Sequence, residues 1–136
     1  MTNVHEVAPR IYRINTPVDI GISFNFNQYL VAADEPLLFH TGPRKLFPAV
    51  AEAIQRVMPL ERLRYVSLSH FEADECGSLN DFLAAAPNAE ALCGAVAKMV
   101  SVDDVALRPA RAEGGCSRSS ANLRRGFGPA HLTRHI

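Results

Sequence analysis

The stretch that decides the fold is Ser69-His70-Phe71-Glu72-Ala73-Asp74-Glu75-Cys76-Gly77, which places one imidazole and three carboxylates within six residues. Carboxylates this close repel one another, and a divalent or trivalent cation removes that cost. The apolar run 63–68 before the stretch predicts a strand, and apolar residues at helical spacing follow from Ser78. A loop this rich in ligand types, lying between two regular elements, indicates a metal site. We call residues 69–77 the metal loop.

The spacing of the acidic residues in the metal loop favours metal binding over simple solvation. Side chains at alternate positions of an extended backbone point the same way, so we expect His70, Glu72 and Asp74 to converge, with Glu75 facing elsewhere. The alternative is an acidic, solvated loop that happens to contain a histidine. Carboxylate oxygen with imidazole suits iron or manganese, whereas zinc sites usually take more nitrogen or sulfur, and zinc stays an open alternative.

The pattern His70-x-Glu72-x-Asp74-Glu75-x-Gly77 resembles the metal loop of metallo-β-lactamase-fold proteins, in the variant of the oxygen-binding di-iron and flavodiiron proteins. Glu72 stands where the hydrolase branch usually has histidine. The resemblance implies that His70 and Glu72 bind one metal and Asp74 the other. Relatives commonly have a further histidine ligand after the aspartate, where this chain has Glu75, our fourth candidate ligand. The implied cofactor is iron, two ions in intact relatives, with manganese or zinc as alternatives.

The resemblance covers about residues 5–111 and implies an α/β fold, the metallo-β-lactamase-like αββα sandwich, in which each half of the sequence supplies one sheet. Apolar alternation predicts strands and amphipathic spacing predicts helices, in an order that agrees with the first half. The predicted strands are 11–14, 22–27, 29–32, 37–40, 63–68 and 89–93, and the predicted helices are 44–58, 78–86 and 95–100, followed by a connecting segment at 102–107. Ser78 and Asp81 resemble a capping box. His40, at a strand end, is expected to support the site rather than to bind metal.

Composition changes abruptly near Arg111. Residues 1–111 contain ten basic and thirteen acidic residues, whereas residues 112–136 contain four arginines, one acid, four glycines and three serines. We therefore predict an N-terminal half-domain over 1–111 and a disordered, non-homologous basic tail over 112–136. A frameshifted or misassembled reading frame would produce such a tail. The alternative is an evolved tail that contacts nucleic acid or an acidic partner. We expect no nucleic acid, because the tail has no fold motif and one aromatic residue, Phe127.

Length and composition limit the remaining classes. The 136 residues are 48% hydrophobic, which suits one small domain. No apolar run approaches the roughly 18 residues of a membrane span, and no charged-then-apolar leader is present. Three cysteines without a CxxC motif predict a reducing, cytoplasmic setting. Cys76 is expected to pack as a small buried residue rather than to bind metal.

These observations predict a metal-binding protein related to di-iron oxidoreductases, impaired by truncation, with electrons supplied by a separate donor protein. Two alternatives stay open. One is a metal-dependent hydrolase acting on a small ester, amide or thioester; the other is an inactive fragment. A half sandwich leaves one sheet face bare, with Ile22, Phe24 and Leu68 expected on it, so we also predict aggregation or a homodimer.

Overall fold

Seven strands lie side by side in the order in which the chain forms them. The computed structural model describes residues 1–113. The strands are β1 (Asn3–Ala8), β2 (Ile11–Asp19), β3 (Ser23–Val31), β4 (Leu37–Phe39), β5 (Tyr65–Ser67), β6 (Glu90–Gly94) and β7 (Arg111–Glu113). The helices are α1 (Phe47–Gln55), α2 (Ala73–Cys76), α3 (Leu79–Ala85), α4 (Ala95–Ala97) and α5 (Asp103–Val105), with short 3₁₀ turns at Arg44–Leu46 and Leu60–Arg62 and a π-helical segment at Lys98–Val102.

The sheet has an antiparallel half and a parallel half. Strands β1 to β4 pair antiparallel. Strands β4 to β7 pair parallel, joined by helical connections. Parallel neighbours need such crossovers, because each strand must start again from the same end of the sheet. The carboxyl ends of β4 and β5 therefore meet at one edge, which places the metal loop beside the segment that follows β4.

One face of the sheet packs against the helices. Leu30, Leu38, Val66 and Ala91 are direct neighbours on β3 to β6 and are fully buried. Direct neighbours share a face, so these residues form a continuous apolar row. α1 and α3 each contribute an apolar side to the same core. The contributing residues are Val50, Ala53, Ile54, Leu79, Phe82 and Leu83.

Local sequence explains where the two long helices begin. Pro48 lies in the first turn of α1, where a missing backbone N–H costs nothing. Phe47, at the start of α1, meets Phe82 of α3 edge to face, with ring centroids 4.9 Å apart. Ser78 is the N-cap of α3, as predicted, but the predicted capping box does not form. The Ser78 hydroxyl donates to the carbonyl oxygens of Gly42 and Pro43 instead of capping the helix.

Two further expectations are corrected. No strand was predicted before residue 11, but β1 pairs with β2 from Asn3 to Ala8, with a register shift between Glu6 and Ala8. Leu68 was expected on a bare face, but it is a buried member of the core. Phe24 is exposed, as expected, yet it shares the strand alternation of Leu30 and so lies on the helix side, near the end of the β2–β3 hairpin.

The predicted domain boundary falls at the first residue of β7, whose three residues pair with β6. The remainder of the predicted tail, from residue 114 onward, lies outside the described residues. Within residues 1–113, no helix is both long enough and apolar enough to cross a membrane.

Candidate metal centre

The metal loop lies against residues 40–43, which we call the 40–43 turn. Phe39 at the end of β4 pairs with Ser67 at the end of β5, and the His40 backbone N–H extends this pairing by donating to the Ser67 carbonyl at 2.8 Å. His40 and Gly42 both have left-handed backbones, with φ of 63° and 78°. A left-handed conformation is uncommon for a non-glycine residue and persists where the surrounding structure holds it.

Thr41 fastens the 40–43 turn to the metal loop. It is 1% exposed, and its N–H donates to the carbonyl oxygen of Glu75 at 2.6 Å. Its hydroxyl accepts the Ser78 N–H at 3.1 Å. The C-terminal half of the loop and the residue that follows it are thus tied to a buried residue of the neighbouring turn, so this part of the loop is fixed by contacts distant in sequence.

A polar cluster forms around the Glu75 carboxylate. It accepts the His70 backbone N–H at 2.7 Å and the Ser69 hydroxyl at 3.2 and 3.3 Å. The His70 Nδ1 atom lies 3.5 Å from one carboxylate oxygen, and the His40 Nε2 atom lies 3.9 Å from the other. Burial raises the pKa of the Glu75 carboxyl, but the His70 N–H, His40, the Ser69 hydroxyl and the His70 ring outweigh it, so the net pKa is lowered. Glu75 is therefore ionised and tightly held.

The metal loop was expected to be extended, with side chains alternating in direction, but this is wrong for its second half. Ala73–Cys76 forms one helical turn, α2, whereas Glu72 before it is extended. Asp74 therefore does not continue the alternation of His70 and Glu72. The expected orientation of Glu75 is also wrong, because its carboxylate faces His70.

The structure brings together only part of the predicted ligand set. His70 and Glu75 are in contact, and His40 joins them. Glu72 instead lines a separate cleft with Arg44 and Asp81, which form an ion pair at 3.5 Å. Asp74 is exposed. In the described part of the chain, no three histidine, cysteine, aspartate or glutamate side chains are arranged to hold a metal ion.

The donor types in the loop nevertheless fit iron, since imidazole and carboxylate are the ligands it takes in non-haem sites. Cys76 does not add a thiolate to this set. It is buried and its Sγ contacts the Glu72 carbonyl at 3.2 Å. Burial, followed by the charges of Glu75 and Asp74, raises the pKa of the Cys76 thiol. The thiol stays protonated, in agreement with its predicted packing role.

Sequence reasoning missed Ser69, whereas it expected His40 to support the site. The Ser69 hydroxyl lies 2.8 Å from His40 Nε2, although the two residues are 29 positions apart. The available signal was the parallel pairing of the two preceding strands, which places the residues after Phe39 and Ser67 next to each other. A serine has no metal-loop signature of its own, so only the pairing could have identified it.

Comparison with known proteins shows what this chain is similar to. The family model described as ODP family beta lactamase matches residues 24–103. The comparison with curated proteins found no match. The chain resembles the metal-soaked Flv1 flavodiiron core from Synechocystis, with 20% identity and a TM-score of 0.67 over 82% of this chain and 31% of that one.

Two further solved structures agree in fold. A flavoprotein from Thermotoga maritima matches at 15% identity and a TM-score of 0.71, covering 82% of this chain and 32% of that one. Rubredoxin oxygen:oxidoreductase from Desulfovibrio gigas matches at 16% identity and a TM-score of 0.69, covering 81% of this chain and 30% of that one. The chain spans about a third of the length of these proteins. The predicted metallo-β-lactamase-like fold is confirmed.

Proposed function

Because the chain belongs to the ODP family of β-lactamases, we propose that it is a metal-binding segment of an oxidoreductase domain related to the di-iron proteins. His70, Glu72 and Asp74 are the proposed ligands of iron, with manganese or zinc as substitutes. Bound iron supplies one-electron chemistry toward dioxygen, and a separate redox protein is the proposed electron donor. The chain's own residues contribute ligands and hold the loop in place.

One observation carries this proposal. The loop backbone is anchored by the buried Thr41, while the side chains of His70, Glu72 and Asp74 are exposed. A side chain that serves only packing is buried, whereas a ligand must be accessible to the ion. A fixed backbone with exposed donor groups is therefore the arrangement that suits metal capture at the carboxyl edge of β4 and β5.

The ligand set of the loop is incomplete for a tightly held ion. Since no three potential ligands converge within residues 1–113, we expect at most one weakly bound ion per chain and negligible turnover of dioxygen or of hydrolase substrates. Metal chemistry needs a closed ligand shell with one open position in a dry pocket, and an exposed loop offers only ligands.

Metal analysis tests the proposal. The full chain is loaded anaerobically with ferrous iron, desalted and analysed for iron and protein, with manganese and zinc in parallel. We expect retention of at most one ion and its loss in the double variant His70→Ala, Asp74→Ala. The matched control is His5→Ala, Asp104→Ala, which removes the same residue types at exposed positions outside the loop.

Equal retention by the loop variant and the control variant contradicts the proposal. Two tightly bound ions per chain contradict the expectation of an incomplete site, and show that residues beyond the metal loop complete it.

A further inference from the structure

The two ring nitrogens of His70 have different surroundings. Nδ1 lies 3.2 Å from the Ser69 hydroxyl and 3.5 Å from a Glu75 carboxylate oxygen. The side chain is otherwise 72% exposed. A carboxylate beside Nδ1 favours the tautomer that carries its proton there, which leaves the lone pair of Nε2 available to a metal ion.

Glu75 is held too firmly to act as a further ligand. One carboxylate oxygen accepts both the His70 N–H and the Ser69 hydroxyl, and the other accepts the Ser69 hydroxyl. The Glu75 carbonyl accepts the Thr41 N–H at 2.6 Å. For Oε2 to turn toward an ion, the carboxylate has to give up the bond that fixes the His70 backbone.

His40 supports this arrangement from the neighbouring strand. Its Nε2 accepts the Ser69 N–H at 3.3 Å and lies 2.8 Å from the Ser69 hydroxyl. Its ring stacks on Phe39, with centroids 4.2 Å apart, and its backbone is left-handed. Backbone strain of this kind persists only where the surroundings hold it.

We propose that Glu75 is a positioning residue that orients His70 toward a metal ion, that His40 and Ser69 hold Glu75 in place, and that Glu75 is not itself a ligand. The proposal rests on the proposed function in assuming that His70 binds metal. Its structural part, the control of the His70 ring by Glu75, stands independently of any ion.

The first measurement uses the metal-free full chain. Long-range ¹H–¹⁵N correlation NMR, recorded at alkaline pH where imidazoles are neutral, reports which ring nitrogen of His70 carries the proton. We expect the Nδ1–H tautomer to predominate in the original chain and the bias to disappear in Glu75→Ala. Glu75→Gln keeps the side-chain length and one acceptor oxygen, so we expect a weakened bias. It also serves as a second variant if the alanine variant does not fold.

The second measurement is ferrous iron affinity. We expect Glu75→Ala and His40→Ala to keep the same number of bound ions per chain and to lose about 10- to 100-fold in affinity, as loss of an orienting partner does. Glu61→Gln removes an exposed charge outside the loop and serves as the control for both measurements.

An unchanged His70 tautomer in both Glu75 variants overturns the proposal. So does complete loss of the ion in Glu75→Gln while the tautomer is kept, because that result makes Glu75 a ligand. If the original chain binds no iron, the proposed function fails, and the tautomer measurement still decides the role of Glu75.

Discussion

Gly77 closes the metal loop where there is no room for a side chain. A Cβ atom at this position meets the Ala73 carbonyl oxygen at 2.4 Å and the Arg44 backbone nitrogen at 2.9 Å. Neither backbone atom can rotate away. We predict that Gly77→Ala lowers the free energy of unfolding by about 1–3 kcal/mol, as overpacking does. Urea denaturation followed by circular dichroism measures this change.

Gly94 is the matched control, because a Cβ atom there has no neighbour within 4 Å. We expect Gly94→Ala to change the free energy of unfolding by less than about 0.5 kcal/mol. Equal effects of the two substitutions contradict the crowding at Gly77.

At the residue scale, the sequence shows which donor groups are present but not where they point. His70 and Glu72 were identified by residue type and spacing. The direction of Glu75 depends on the bond from the Thr41 N–H to the Glu75 carbonyl, which joins residues 34 positions apart. No local pattern around residue 75 contains that information, so the helical turn of α2 was missed.

At the scale of elements, α1 is held mainly by its apolar side. Ile54 is fully buried in the core, whereas the next residue, Gln55, is exposed. We predict that Ile54→Ala lowers the free energy of unfolding by about 2–5 kcal/mol, because it removes buried methyl groups and leaves a cavity. Gln55→Ala should change it by less than about 0.5 kcal/mol. Urea denaturation of both variants is the measurement, and a small effect at Ile54 contradicts the core assignment.

Asp103 at the start of α5 gives a second element-scale prediction, for pH dependence. The Lys98 ammonium and then the Ala110 N–H lower the pKa of its carboxyl. A group with a lowered folded-state pKa stabilises the fold above its unfolded pKa, and this contribution is lost as the pH falls through the folded value. We predict that Asp103→Asn lowers the thermal midpoint at neutral pH and that the difference shrinks below about pH 3.9.

The measurement is thermal denaturation across this pH range. Asp104→Asn removes the same charge one residue away and is the control. A difference for Asp103→Asn that stays constant from neutral to acidic pH contradicts the assigned role of its charge.

Elements with buried apolar residues were predictable, and an element that is almost wholly exposed was not. α1 and β5 carry apolar patterns that match their burial. β1 was missed because five of its six residues are exposed, so its sequence carries no alternation. The π-helical segment Lys98–Val102 was expected as the end of a short helix and a connection. Val102 at its end is fully buried in the core, a tertiary contact that no local pattern around it contains.

At the scale of the whole molecule, the sheet face away from the helices is apolar beside β4, where Val31 pairs with Ile11 and Leu37, and polar toward the β2–β3 hairpin end. Asn15 and Asn27 are direct neighbours there, joined by a side-chain hydrogen bond of 3.0 Å. The expectation of a continuous apolar bare face is therefore too simple. The exposed apolar residues instead concentrate elsewhere, at the end of the β2–β3 hairpin and along the segment 96–107.

The β2–β3 hairpin end is the surface that we expect to drive self-association. Ile20, Ile22 and Phe24 are 74%, 67% and 45% exposed, within five residues of one projecting turn. Contiguous exposed apolar surface favours association, whereas single exposed residues are tolerated. We predict that the double variant Ile22→Ser, Phe24→Ser lowers light scattering at a given protein concentration and leaves the free energy of unfolding within about 0.5 kcal/mol of the original.

The control for the hairpin variant is Val7→Ser, which removes an isolated exposed side chain on β1 and should leave light scattering unchanged. A second double variant, Val96→Ser, Met99→Ser, tests the competing apolar surface, where these side chains are 70% and 74% exposed. That surface lies on short helical turns, whereas the hairpin end lies at the turn between two paired strands. Scattering that falls only in the second double variant contradicts the prediction and moves the associating surface to residues 96–107.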